Sequence, residues 1–401
     1  MKLLDQISRA LKAQEDAGLR RRLRVAATPC QPSVRVDERQ LLAFCSNDYL
    51  GLAAHPRVVL ALQEGAARYG AGSGASHLIS GHSEAHALLE ARLAGLYTPY
   101  IEQARALYFC TGYMANLGLL TGLAQIDESV EFFSEGLNHA SLIDGMRLSR
   151  ASVSVYPHGD VQALEGMLQQ SQASTRIIVT DSVFSMDGNL APLKQIDALA
   201  HEYDAALVID DAHGFGVLGA QGLGVLEHLD LRSSRVIYMG TLGKAAGVAG
   251  AFVVAHDQIV EWLVQRARPY IYTTAAAPAL AHALMTSLDL ITSDEGRRRR
   301  AAIATNMMRL REGLHLQHWA LPNSDTAIQP IIIGDNQQAV KVASFLLHQG
   351  LWVPAIRPPT VPPDTARLRV TVSAAHTQDD VARLARAINR AENEFNSHER
   401  F

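Results

Sequence analysis

Between Ala104 and Val254, short β-branched and aromatic runs alternate with stretches patterned for helix, and this alternation restricts the fold more than any other feature. Ala104–Phe109, Val153–Tyr156, Arg176–Thr180, Ala206–Asp210, Val236–Met239 and Ala251–Val254 read as strands. Helices over Thr111–Ala124, Val161–Gln169, Leu193–Tyr203 and Gln258–Ala267 fall among them. Repeated βα units build a mainly parallel sheet covered on both faces, an α/β fold.

The flanking sequence predicts the rest of the organisation. Leu4, Ile7 and Leu11 share one face of an N-terminal helix that has to dock on something, and Leu41–Phe44 reads as a short strand. Ala279–Leu314 reads as a helical bridge. Beyond it, Ala327–Ile333, Leu351–Ile356 and Leu368–Val372 are strand-like and Thr377–Phe395 is helical, giving a small α+β domain. The expected division is an N-terminal segment over 1–45, a large domain over 46–285 and a C-terminal domain over 286–401.

Two glycine-rich stretches invite a dinucleotide reading. Gly70, Gly72 and Ala75 follow a helical pattern where a strand is required, so that match fails and mobile backbone near a ligand is the better reading. Gly214-Phe-Gly-Val-Leu-Gly219 does follow a strand, but Asp210, Asp211 and His213 intervene. Carboxylates at that point repel a pyrophosphate. A net charge of −4 argues against broad nucleic-acid binding, and Arg297–Arg300 after Asp294-Glu295 reads as a solvated helix face. Three irregularly spaced cysteines indicate neither a disulfide framework nor a metal site. No apolar run has membrane-spanning length, and acids at Asp5, Glu15 and Asp16 fit no leader, so a cytoplasmic protein is expected.

The chemistry centres on Lys244, just past a strand in Met239-Gly-Thr-Leu-Gly-Lys-Ala-Ala-Gly247. Small neighbours desolvate its amine, which favours the neutral, nucleophilic form that attacks aldehydes. Upstream, a strand runs straight into Asp210, with His213 one turn on. A strand-end acid and a strand-end lysine suit pyridoxal phosphate (PLP), the acid holding the pyridine nitrogen protonated and the lysine carrying the aldehyde carbon. Gly112 opens a helix whose backbone N–H groups make a phosphate seat. His139 reads equally as a site or a capping histidine, Ser185 lies in a segment that is otherwise a turn, and Arg357 suits either a carboxylate grip or a structural ion pair.

Together the motifs Ser46-Asn-Asp-Tyr-Leu-Gly51, Asn138-His-Ala-Ser141, Val183-Phe-Ser-Met-Asp-Gly188, Asp210-Asp-Ala-His-Gly214 and Thr241-Leu-Gly-Lys244 resemble the α-oxoamine synthases, a family of fold-type-I PLP enzymes. The likeness runs from the first helix to about residue 390. Ile356-Arg-Pro-Pro-Thr-Val-Pro362 with Thr365-Ala-Arg-Leu-Arg369 resembles the oxononanoate branch more than the glycine acetyltransferase branch, which is the alternative. A non-catalytic partner subunit is the other alternative, disfavoured because Lys244, Asp210 and His139 are all present.

The resemblance implies a seven-stranded large-domain sheet and a decarboxylative condensation of L-alanine with a pimeloyl thioester, carried by coenzyme A or acyl-carrier protein. It implies that Lys244 binds the cofactor as a Schiff base and then moves the Cα proton. Asp210 would pair with the pyridinium, His213 and Ser185 would lie near the phenolic oxygen, and His139 would stack on the ring. Gly112, Tyr113 and Thr241 would seat the phosphate, with Thr274 coming from the second subunit of a homodimer. Arg357 would hold the amino-acid carboxylate with Asn47 nearby, while Arg20 and Thr360 would face the acyl chain. Three positions depart from the family pattern: Glu135 stands where Asp is usual, Cys110 where a non-cysteine is common, and Asp364 where glycine is usual.

Overall fold

A computed structural model describes residues 1–396. Its chain contacts group into two compact units, the larger comprising Leu52–Ser185 and Leu190–Arg300. At the centre of the larger unit lies a seven-stranded sheet. Its spatial order is Ala104–Phe109, Ala251–His256, Val236–Thr241, Ala205–Asp210, Thr175–Asp181, Val130–Glu135 and Ser152–Tyr156. Only Ala251–His256 runs antiparallel to its neighbours; the other pairings are parallel. Strands such as Val236–Thr241 are buried along their whole length, as a sheet covered on both faces requires. Leu119 and Leu120 of the helix Gly112–Leu123 pack with Phe132, Val179, Val208 and Val253 in one core, each fully buried and stabilising the fold by about 1.5–3 kcal/mol.

The smaller unit gathers Met1–Gly51, Met186–Asn189 and the described residues from Ala301 onward. Its grouping departs from the expected division at 45/46 and 285/286. The N-terminal segment does not stand apart, because strand Arg39–Ala43 pairs antiparallel with Ser33–Val36 and parallel with Leu351–Trp352. Phe44 O and Tyr49 O accept the N–H groups of Thr371 and Ala374, which extends the link to residue 49. The expected strand Leu351–Ile356 is two strands belonging to different sheets, divided at Val353-Pro354, where proline lacks the N–H a ladder needs. The expected helical bridge is two helices, Pro278–Thr292 and Asp294–Gly313, and Ser293 Oγ accepts the Glu295 N–H at the start of the second.

The amphipathic helix Lys2–Asp16 buries no residue, so the docking its sequence calls for does not occur within this chain. The arginine run is only partly a solvated face. Arg297 pairs with Asp294 in solvent, whereas Arg300 donates to the carbonyls of Ile291 and Ala220 and so closes the end of the preceding helix. Asp364 adopts φ +59°, the left-handed conformation for which glycine is the usual choice. Among the described residues no helix is long and apolar enough to cross a membrane.

Glu90, on helix Glu84–Tyr97, accepts the Tyr108 N–H at 2.9 Å and lies 3.7 Å from His82 Nε2. Burial pushes its carboxyl up to about 7, against the pull of the Tyr108 N–H and the Arg105 charge. A carboxyl raised on folding holds its proton in the native state, so its stabilising contribution is complete below the unfolded value near 4.5 and is lost as pH rises through about 7. Glu90→Gln is therefore expected to flatten the fall in unfolding free energy between about pH 5 and about pH 8, by up to ~3 kcal/mol. Denaturant melts of both proteins at the two pH values test this, and equal slopes would contradict it.

Candidate active site

Parallel strands place all their carboxyl ends on one edge of a sheet, where α/β proteins bind ligands. The residues of the larger unit singled out from the sequence lie at or just beyond this edge. Strand Val236–Thr241 ends in the turn that carries Lys244. Three backbone bonds close that turn: Leu242 N–H to Gly250 O (2.8 Å), Val248 N–H to Leu242 O (3.1 Å) and Gly247 N–H to Lys244 O (2.9 Å). Gly247 has φ +69°, and a Cβ there would meet Ala53 N at 2.4 Å, so the turn needs glycine. Ser287 Oγ pins the turn from outside by donating to Ala246 O at 2.6 Å. The half-buried Lys244 projects its Nζ to 3.1 Å from Nε2 of buried His213.

Strand Ala205–Asp210 delivers Asp210, which is buried at 3% exposure. Its Oδ1 accepts the Ala212 N–H (2.9 Å) and its Oδ2 accepts Asn116 Nδ2 (2.7 Å). Asn116 Nδ2 also reaches Ser141 Oγ (2.8 Å), which in turn lies 2.7 Å from His139 Nδ1. A continuous polar chain thus runs from Asp210 to His139. His139 caps helix Ala140–Ser149 by accepting the Ser141 N–H, while its own N–H donates to Asp181 Oδ2 at 2.6 Å. Solvent reaches the surface of His139, yet the protein around it desolvates the ring, and its pKa is lowered first by burial against the attraction of Asp210.

Two further buried carboxyls flank Asp210. Asp181 is raised well above the ordinary range by burial and then by the Asp210 charge, while the Lys244 charge pulls it down. Asp211 is pushed up to about 7 by burial despite donors from Ser182, Tyr238 and the Val225 N–H. It is wrapped by the Gly214–Gly224 run, whose following helix is only Val225–Leu229, so this stretch is no dinucleotide loop. Neutral N–H and O–H groups are the hydrogen-bond donors to all three carboxyls. A cluster of buried acids satisfied by neutral donors has room for one cationic N–H, and a protonated pyridine supplies one.

The residues expected to seat a phosphate lie at a helix start. Thr111 caps the helix Gly112–Leu123 by accepting the Met114 N–H, and the N–H groups of Gly112 and Tyr113 are among those without intrahelical acceptors. A Cβ at Gly112 would sit 2.8 Å from Thr241 Cγ2, so glycine lets the helix end approach Thr241 closely. Thr241 Oγ1 donates to Ala212 O at 3.2 Å. The Tyr113 phenol is directed away, to Asp144. Ser185 is half-buried two residues past the bridge between Val183 and Leu190. Thr274 is exposed and bridges to Ser76.

The remaining predicted residues belong to the smaller unit. Asn47 Oδ1 accepts from Arg369 (3.2 Å) and from the Tyr49 hydroxyl (3.3 Å). Arg357 donates to Gly18 O through one of its five N–H groups, and burial lowers its pKa. Thr360 is exposed, and its N–H bonds the Arg357 carbonyl at 3.1 Å. Arg20 is half-exposed and paired with Glu15 at 2.5 Å.

Sequence reasoning missed Asn116 and Asp181 as site residues and gave Ser141 no role. Asn116 sits mid-helix in a run of Gly, Ala and Leu, where a polar residue at 1% exposure has to have a buried partner. That mismatch was the available signal. Asp181 ends a strand in register with Asp210.

The sequence profile described as aminotransferase class I and II matches residues 39–388. A protein from Bordetella petrii named 8-amino-7-oxononanoate synthase is 63% identical over 394 residues, covering 98% of this chain and 99% of its own. Among solved structures, a serine palmitoyltransferase variant from S. paucimobilis with a bound PLP–myriocin aldimine aligns over 99% of both chains at 26% identity and TM-score 0.90. An 8-amino-7-oxononanoate synthase from Francisella tularensis aligns over 90% of this chain and 99% of its own, at 27% identity and TM-score 0.74.

Proposed function

This chain belongs to the aminotransferase class I and II family and, within it, to the 8-amino-7-oxononanoate synthases, and from that premise we propose that it condenses L-alanine with a pimeloyl thioester. The products are 8-amino-7-oxononanoate, carbon dioxide and the free thiol carrier, in biotin biosynthesis. The cofactor is pyridoxal 5′-phosphate. The observation that carries the reading is the pairing of Lys244 and His213 at 3.1 Å with a buried Asp210 whose neutral hydrogen-bonding chain ends at His139.

When bound, PLP supplies the electron sink that acidifies the alanine Cα–H. Asp210 would keep the pyridine nitrogen protonated, and Asn116 and the Ala212 N–H fix its carboxylate plane. His139, held by Ser141 and by its own backbone bond to Asp181, would stack on the cofactor ring. His213 and Ser185 would serve the phenolic oxygen. The N–H groups of Gly112 and Tyr113 would hold the phosphate with Thr241 and with Thr274 of a second copy. Lys244 would hold the cofactor through Nζ, and the same Nζ, kept in place by His213, would take the alanine Cα proton and later return one to the product. Arg357 grips the alanine carboxylate beside Asn47, and Arg20 and Thr360 bind the acyl part. The enzyme works in the cytoplasm as a homodimer; the exposed Leu4, Ile7 and Leu11 on the first helix and the exposed Thr274 support a second copy.

Competition settles the substrate. With L-alanine, glycine, pimeloyl-CoA and acetyl-CoA supplied together, mass spectrometry is expected to find 8-amino-7-oxononanoate as the dominant product. Dominant 2-amino-3-ketobutyrate would place the chain in the glycine branch instead.

A further inference from the structure

We propose that His86 is a positioning residue for the cofactor-phosphate site, acting through the backbone that presents Thr274; this rests on the reading above that Thr274 serves the phosphate. Residues 274–276 form no helix. The Ala275 N–H donates to Ala75 O at 3.0 Å, and Thr274 bridges to Ser76. The Ala276 carbonyl receives two donors, Ser73 Oγ at 2.5 Å and His86 Nε2 at 2.9 Å. Cys110 Sγ, next to the Thr111 cap, donates to Thr274 O at 3.5 Å. The segment is therefore tied on one side to the loop at 73–76 and on the other to the phosphate seat.

His86 is the one fully buried side chain in this set, at 0% exposure. Its tautomer follows from its partners. Nδ1 accepts the Ser83 N–H at 3.0 Å, so the ring proton sits on Nε2 and points at Ala276 O. Ser83 and His86 form a capping box for helix Glu84–Tyr97, which makes the ring a rigid strut between a helix start and residues 274–276. His77 and His82 complete the cluster. Their Nδ1 atoms lie 3.0 Å apart and share a hydrogen bond, and the His77 ring stacks on Tyr270 at 4.4 Å between centroids. The three imidazoles bring one nitrogen each within 4.8 Å of one another, and His77 and His82 are hydrogen-bonded to each other. They hold the His77–Gly81 turn of a loop whose glycines suggested mobile backbone.

The test measures PLP affinity by fluorescence titration of the dimeric protein, with melting temperature as the control. Thr274→Ala is expected to weaken PLP binding about tenfold, the size of one lost hydrogen bond. His86→Phe, which keeps a ring but no donor, is expected to match it, and the double variant is expected to be no weaker than Thr274→Ala alone. His86→Gln, whose amide offers an acceptor and a donor, should restore binding even where His86→Phe lowers the melting temperature. Multiplicative losses in the double variant would overturn the role of His86 while leaving Thr274 in place. A Thr274→Ala protein with unchanged affinity would overturn the phosphate assignment, and the His86 proposal with it.

Discussion

Lys244→Ala is expected to lower kcat by roughly 10⁴-fold or more, because on the proposed mechanism one side chain is both the anchor and the base that moves the Cα proton. The fold is expected to survive. Lys244 is half-buried in a turn whose three closing bonds are all backbone, and the outer pin runs from Ser287 to a backbone carbonyl, so none depends on the amine. The melting temperature should therefore move by no more than about 0.5 kcal/mol of stability would produce. A variant with wild-type turnover would end the mechanism. A variant that lost activity only by unfolding would show that the lysine is structural.

Asp210→Asn separates holding the cofactor from activating it. The substitution removes the negative charge that, on the proposed mechanism, keeps the ring nitrogen protonated, and kcat is expected to fall on the order of 10²–10³-fold, about 3–4 kcal/mol of electrostatic stabilisation. Stability should change little for a specific reason. Both Asp210 oxygens receive N–H groups, so a new amide would at first set its NH₂ against Asn116 Nδ2. Asn116 Oδ1 has no partner, so a flip of that amide turns this one oxygen toward both the new NH₂ and the Ser141 hydroxyl. The expected cost is below about 1 kcal/mol, with PLP affinity falling far less than kcat. Equal losses in affinity and kcat would make Asp210 an anchor only.

The βα alternation made most of the large unit legible. The expected strand Ala104–Phe109 has the observed bounds, and its neighbours shift by a few residues. Strand Val130–Glu135 escaped because glutamates stand at 131 and 135, where a buried strand should be apolar. The structure explains the second of them: Glu135 is buried at 2% exposure, 2.6 Å from His158 Nδ1, and accepts the N–H groups of Leu137 and Gly159. Helix Ala140–Ser149 was hidden by its cap, since His139 is not a residue that marks a helix start. Helix Glu84–Tyr97 was hidden in the same way, His86 taking the place that Glu or Gln fills in a capping box.

The unit boundaries were out of reach for a different reason. They depend on which strand Arg39–Ala43 pairs with, and a strand more than 300 residues away leaves no local signal. The placement of Lys244 and Asp210 was readable because strand ends are readable, and a parallel sheet then gathers such ends on one edge. The polar chain through Asn116 was not, because it joins two elements that periodicity treats separately.

The most direct test of the account follows the carboxyl carbon of alanine. L-alanine labelled at the carboxyl group is incubated with the PLP-loaded protein, with and without pimeloyl-CoA, and released carbon dioxide is counted against 8-amino-7-oxononanoate. The account predicts one carbon dioxide per product molecule, only when both substrates are present, and none with Lys244→Ala. Release of label without the thioester, or product that keeps the labelled carbon, would contradict it.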